Sequence, residues 1–97
     1  MQYYTLVYHL VDDYIARRAQ YRDEHLQLAQ EAHRRHELLL GGAYSDPANQ
    51  ALLVWRVSVR SVIEDFVAED PYVKNGLVTK WEIRPWTVVI GQEKFEA

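Results

Sequence analysis

The chain contains no cysteine. That excludes disulfide bridges, thiolate nucleophiles and cysteine-ligated metal ions. Glycine is scarce, with four residues in 97, and only Gly41-Gly42 are adjacent. That pair fits neither a phosphate-binding loop nor a dinucleotide fingerprint. No segment approaches the roughly 20 apolar residues needed to cross a bilayer. The N-terminal "MQYYTLVYHLVDDY" has neither the basic region nor the long apolar run of a signal peptide. A basic stripe is also missing. Eleven Lys and Arg are interleaved with fourteen Asp and Glu, for a net charge of -3, which argues against a nucleic-acid partner. The expectation is a cytoplasmic protein with no membrane and no nucleic-acid association.

What the chain does have is apolar content, 48%, enough for a folded globule. Its length reads as one domain over residues 1–97. A domain this small buries only about 60 % of its unfolded surface, so a partner subunit would add stability.

Gln2 to Leu10 is rich in Tyr, Val, Thr and Leu and reads as a strand. Asp12-Asp13 supplies a helix start. From Tyr14 to about Leu38 there is neither proline nor glycine, which predicts one long helix. Its buried stripe is expected at Ile15, Ala19, Leu26 and Ala29, widened by Tyr21, Leu28 and Ala32. "LLLGGAYS" follows as a second strand, "DPANQ" as a turn, and "ALLVWRVSV" as a third strand. Ser58 is a plausible cap for a second helix carrying Val59, Val62, Ile63, Phe66 and Val67. After "EDPYVKNG", Leu77 to Trp86 alternates as a fourth strand, Thr87 to Ile90 is strand-like again, and a polar tail closes the chain.

The order βαββαβ with right-handed crossovers predicts an α+β, ferredoxin-like sandwich, two helices on one face of an antiparallel sheet. The first strand is largely apolar on both sides, Tyr3, Thr5, Val7 and His9 against Tyr4, Leu6, Tyr8 and Leu10. The third offers Leu53, Trp55 and Val57 on one side and Leu52 and Val54 on the other. A sheet covered on one face only would leave that second surface in water, which monomers rarely do. A homodimer joined through the sheets follows as an expectation.

Several side chains suggest chemistry. In "YRDEHLQLA", Arg22 and His25 are neighbours on one helix side. Histidine there reads either as a general base, titrating near neutrality, or as a boundary residue satisfied by one hydrogen bond. Asp70 is the candidate to orient it by accepting its Nδ1 proton. Yet Asp70-Pro71 also reads as a plain turn opening, and Asp46-Pro47 is a second Asp-Pro in an ordinary turn. His33 and His36 have helical spacing for a metal, but two histidines without a placed carboxylate read more simply as solvated residues. His9 reads as structural. Ser45 lacks a nucleophile-elbow context.

The order of these motifs resembles the YciI-like family, the YCII-related domain. "RDEHL" is similar to that family's Arg-x-x-His-Leu, and "LLLGGAYSD" to its second strand. "FVAEDPYVKNGLVTKWEIRPW" is similar to its block running from Asp-Pro-Tyr through a glycine to a final basic-Pro-aromatic triplet. Ala43 departs from the pattern, standing where the family commonly has proline. The resemblance covers nearly the whole chain. It implies a ferredoxin-like fold paired into a dimeric α+β barrel, similar to muconolactone isomerase, and a pocket with a His–Asp pair. It points to His25 and Asp70 as that pair, to Arg22 and Tyr72 as motif neighbours, and more loosely to Ser45 as a serine found in some members. One member eliminates chloride in chloroaromatic breakdown.

The resulting expectation is a cofactor-independent enzyme acting on a small, aromatic-derived molecule. His25 and Asp70 would be catalytic, with Arg22, Tyr72 and Ser45 binding substrate and no metal involved. Isomerisation, elimination and hydrolysis all suit a positioned base with anion stabilisation. The rival readings are a non-catalytic dimeric module for a small ligand or a protein, and a cofactor-free monooxygenase of the same barrel type, which rests on fold analogy.

Overall fold

The computed structural model of the chain describes residues 1–91. Four strands, β1 (Gln2–Leu10), β2 (Leu38–Ala43), β3 (Gln50–Val57) and β4 (Val78–Pro85), form one antiparallel sheet in the order β2-β3-β1-β4. Four helices complete it: α1 (Tyr14–Arg17), α2 (Ala19–Arg34), α3 (Ser61–Glu69) and α4 (Pro71–Lys74). The two strands central in space are β1 and β3, each reached across a helical or edge-strand connection. This is the ferredoxin-like α+β sandwich.

Alternation along the strands decides what is buried. Leu6 faces Leu53 on one side and Ile83 on the other, so all three share a sheet face. That face also carries Tyr8, Leu10, Trp55 and Val57. The helices close over it with Ala32, Ile63, Phe66, Val67 and Tyr72. Each large side chain so buried contributes on the order of 1.5–3 kcal/mol. The opposite face presents Val7, Leu52 and Val54 between Lys80, Glu82 and Arg84, and no helix covers it.

The expected long helix is two helices. It breaks at Arg18, where the backbone amide of Tyr21 bonds the Arg18 carbonyl, a tight three-residue turn. The buried line keeps its helical phase across Arg18, whose own backbone is right-handed helical, and it passes one position beside the expected stripe. Tyr14 enters the core, while Ile15 is 53% exposed and Ala19 is also exposed. In α2 the inward line runs through Tyr21, His25, Leu28 and Ala32. Asp13 does stand at the N-cap of α1, but its carboxylate makes no cap bond and lies 3.7 Å from Arg17.

α2 stops before Leu38. His36 takes a left-handed conformation, φ 64, and the amides of His36 and Glu37 bond the carbonyls of His33 and Ala32. That pair of bonds is a Schellman stop built without glycine.

Ser58 does not cap α3. The N-cap falls two residues later, at Arg60, which donates to the Ile83 carbonyl on β4 at 3.1 Å. Val59 is consequently exposed. Thr87 to Ile90 form no strand: among the described residues the ladder ends at Pro85, and beyond it the Trp86 amide bonds the Tyr3 carbonyl while the Gln2 side chain donates to the Trp86 carbonyl. The polar tail expected at the C-terminus lies outside the described residues.

Candidate active site

The site is built around the turn that ends α3. Pro71 disfavours helical backbone in the residue before it, and Asp70 is accordingly extended, φ -70 and ψ 119. Asp70 thereby ends one helix and caps the next, its Oδ1 accepting the Tyr72 amide at 3.0 Å. Pro71 sits in the first turn of α4, where no amide proton is missed. α4 is closed after one turn by Gly76 in the left-handed region, φ 77. The amides of Gly76 and Leu77 bond the carbonyls of Val73 and Tyr72. Two tight stops thus turn the chain from α3 into β4 and drive Asp70, Tyr72 and Leu77 inward.

Asp70 is completely buried. A buried carboxylate is expensive unless donors surround it, and three converge on it. Besides the Tyr72 amide, His25 Nδ1 lies 2.8 Å from Oδ1, and the Tyr8 hydroxyl donates to Oδ2 at 2.7 Å. They come from three elements: β1, α2 and α4. With an acceptor-only carboxylate opposite, His25 carries its proton on Nδ1 and leaves Nε2 as the basic atom.

Tyr72 makes a second contact with the histidine. Its ring stacks on the imidazole with centroids 3.8 Å apart and planes 10° from parallel. Tyr14 meets Tyr72 edge-on at 5.7 Å. His25 is therefore held by a hydrogen bond in its plane and an aromatic ring against its face, with 15% of the side chain exposed.

Burial pushes the Tyr8 phenol well above its ordinary range, and the adjacent Asp70 charge and the hydrogen bond to it act in the same direction. The Tyr72 phenol is raised too, first by burial and then by Tyr14, with the Arg22 guanidinium opposing. Its hydroxyl is buried without a partner at hydrogen-bonding geometry, although Tyr14 and Arg22 are near enough to act on its acidity.

His25 looks into a cavity of about 300 Å³ between α2 and the sheet. Leu10, Leu26, Ala29, Leu38 and Leu53 give it an apolar wall, and Arg18, Arg22 and Tyr72 reach it as well. Asp70 lies behind His25, off the cavity surface. The fold thus brings together His25, Asp70, Arg22 and Tyr72. Ser45 is elsewhere, exposed on the loop between β2 and β3 and not among the residues lining the cavity.

Tyr8, Tyr14 and Arg18 were not singled out from the sequence. Tyr8 had a signal: alternation puts its phenol between Leu6 and Leu10 on the core side, and a buried hydroxyl calls for a partner. His33 Nδ1 lies 2.8 Å from the Leu38 carbonyl, and His36 forms the helix stop. Among the described residues no three His, Asp or Glu side chains gather as a metal site, and no helix is long and apolar enough to cross a membrane.

Comparison with solved structures finds the same fold. The 5-chloro-2-hydroxyhydroquinone dehydrochlorinase TftG of Burkholderia phenoliruptrix, in complex with 2,5-dihydroxybenzoquinone, is similar with a TM-score of 0.74 at 15% identity, over 88% of this chain and 93% of that one. A protein of Agrobacterium tumefaciens is similar at 0.59 and 16% identity, over 94% and 96% of the two chains. A NIPSNAP family protein of the same organism reaches 0.51 at 15%, over 93% and 87%. No curated protein matches by sequence. The family model of the YCII-related domain matches residues 1–87. With nearly the whole sequence covered, the chain belongs to the YCII-related domain family.

Proposed function

We propose that the protein is a cofactor-independent enzyme that uses His25 as general base on a small, aromatic-derived molecule. The observation that carries this reading is the 2.8 Å contact between His25 and a fully buried Asp70 at the wall of a ligand-sized cavity. Asp70 fixes the tautomer and stabilises the imidazolium formed when Nε2 takes a proton. Arg22 binds a carboxylate or enolate oxygen, and Tyr72, whose hydroxyl lacks a partner, donates a hydrogen bond to it. Ser45 lies outside the cavity lining, two residues beyond Ala43, which lines it, and Ser45→Ala tests whether substrate reaches that far.

Isomerisation, elimination and hydrolysis all begin with such a proton transfer. TftG, a dehydrochlorinase with a bound quinone, supports elimination on a ring-derived substrate as the first chemistry to try. The test is turnover of a panel of hydroxylated and halogenated single-ring compounds, followed by NMR, with wild type, His25→Asn and Asp70→Asn. Turnover should fall at least ~100-fold in both variants, the ordinary contribution of a positioned acid–base group. Full activity in His25→Asn would overturn the reading.

The open sheet face favours a homodimer. Val7, Leu52 and Val54 occupy its middle, and Leu40, 71% exposed, extends it at the edge. Sedimentation of Leu52→Lys and Val54→Lys variants tests this. A wild type that sediments as a monomer at micromolar concentration would remove the dimer.

A further inference from the structure

The permanently charged side chains of the cavity wall have one sign. Two guanidinium groups, Arg18 and Arg22, line it, with no aspartate or glutamate among the lining residues. The chain as a whole leans the other way, at -3. Three of the other arginines are paired with carboxylates at the surface: Arg17 lies 3.7 Å from Asp13, Arg35 2.9 Å from Glu37, and Arg60 3.1 Å from Glu64. Arg18 and Arg22 differ. Among the described residues Arg18 sits over the Tyr14 ring, 5.3 Å from its centroid, and Arg22 acts on the Tyr72 phenol. Four residues apart, they stand one helical turn from each other.

Unpaired guanidinium groups beside an apolar, partly enclosed wall are strong anion receptors, since the low dielectric magnifies their field. The opposite wall is leucine and alanine, and about 300 Å³ is at the small end for a ligand site. We infer that the cavity takes a single-ring anion, a ring carboxylate or an acidic phenol, with its charge on Arg18 and Arg22 and its ring against the leucine wall. The inference rests on reading this cavity as the substrate site and names the substrate class and a second anchoring arginine. It also limits where the base acts. His25 follows Arg22 by three residues, so their Cβ atoms are about 5–6 Å apart. The proton removed then belongs to an atom within one ring's span of the anionic group.

The probes are benzoate, benzamide and benzylammonium, which share a ring and differ in charge, titrated into the full chain and followed by 1H–15N NMR. Benzoate should bind at least about tenfold more tightly than benzamide, with shifts at His25 and in α2, and benzylammonium should not saturate. Arg22→Gln and Arg18→Gln should each reduce the benzoate preference several-fold while leaving benzamide unchanged, and Arg22→Lys should restore part of it. Equal binding of benzoate and benzamide overturns the inference. So does a preference that survives the double glutamine variant, or the absence of benzoate shifts up to roughly 10 mM, a limit weaker than any anchored ion pair would give. His25→Asn separates this from the catalytic proposal. Lost turnover with the charge preference intact supports both, whereas lost preference in a wild type that still turns over substrate sinks only the anion site.

Discussion

Asp46-Pro47 and Asp70-Pro71 are the same dipeptide in two surroundings. Asp46 lies exposed in the loop after β2, at φ 59, where a short polar residue tolerates left-handed backbone. Asp70 is sealed inside the molecule with three donors on its two oxygens. Locally the two already differ, since Pro71 keeps Asp70 extended while Asp46 is left-handed before a cis peptide bond. The larger difference comes from what the rest of the chain brings up to the carboxylate. A turn residue becomes a candidate catalytic residue when a strand and a helix, distant in sequence, aim a phenol and an imidazole at it.

The comparison can be broken most forcefully at Asp70. Asp70→Ala strands three buried donors, each lost acceptor costing about 1–3 kcal/mol. Urea unfolding should therefore show a loss of at least ~3 kcal/mol, while Asp46→Asn, which keeps a residue that tolerates left-handed backbone, should leave the midpoint unmoved. Equal effects at the two sites would mean that the buried network contributes nothing.

A milder cut is Tyr8→Phe, which keeps the ring and leaves Oδ2 without its donor. The expected cost is about 1–3 kcal/mol, and the His25 Nδ1–H tautomer should persist in 15N spectra because Oδ1 is untouched. Asp70→Asn should instead disturb that tautomer, since the amide presents donors as well as an acceptor.

Alkaline pH probes the same network. Both Tyr8 and Tyr72 are harder to ionise in the folded chain than in the unfolded one. As pH climbs past about 10 the unfolded state gives up these protons first, and unfolding is increasingly favoured. The two phenols add no pH dependence below that point, and above it stability should fall by up to about 1.4 kcal/mol per pH unit for each. Tyr8→Phe should fall less steeply. The smallest effect is expected for Asp46→Asn, with no measurable change in midpoint or in alkaline slope.

The strands were legible because alternation is a strict code: shifting Leu6 by one residue would expose it, so β1, β3 and β4 announce their faces. Helix ends were harder. His36 closes α2 in a conformation that usually belongs to glycine, and the break at Arg18 has neither glycine nor proline to mark it. Ile15 and Ala19 each sit one residue beyond Tyr14 and Arg18, so the buried line through Tyr14, Arg18, Tyr21, His25, Leu28 and Ala32 passes beside them. Ser58 looked like a cap, but the anchor of Arg60 on the Ile83 carbonyl sets where α3 begins, and that contact spans 23 residues. Thr87 to Ile90 had strand composition, yet among the described residues the ladder ends at Pro85. At the site, spacing alone left His25 and Asp70 each with a plain alternative, and motif order brought them together. Tyr8 was overlooked because a tyrosine in a strand was counted as apolar surface and its hydroxyl was not followed inward.

The carboxylate that gathers these groups has a consequence for folding order. The Tyr8 bond to Asp70 closes 62 residues and the His25 bond closes 45, whereas the Tyr72 amide bond is local. Long closures are entropically late, since they need the sheet and α2 already in place. The cap of α4 can form early, and the phenol and imidazole dock afterwards. The contact of His25 with its carboxylate is then a property of the finished tertiary structure, and a local opening of α2 away from the sheet would separate the pair.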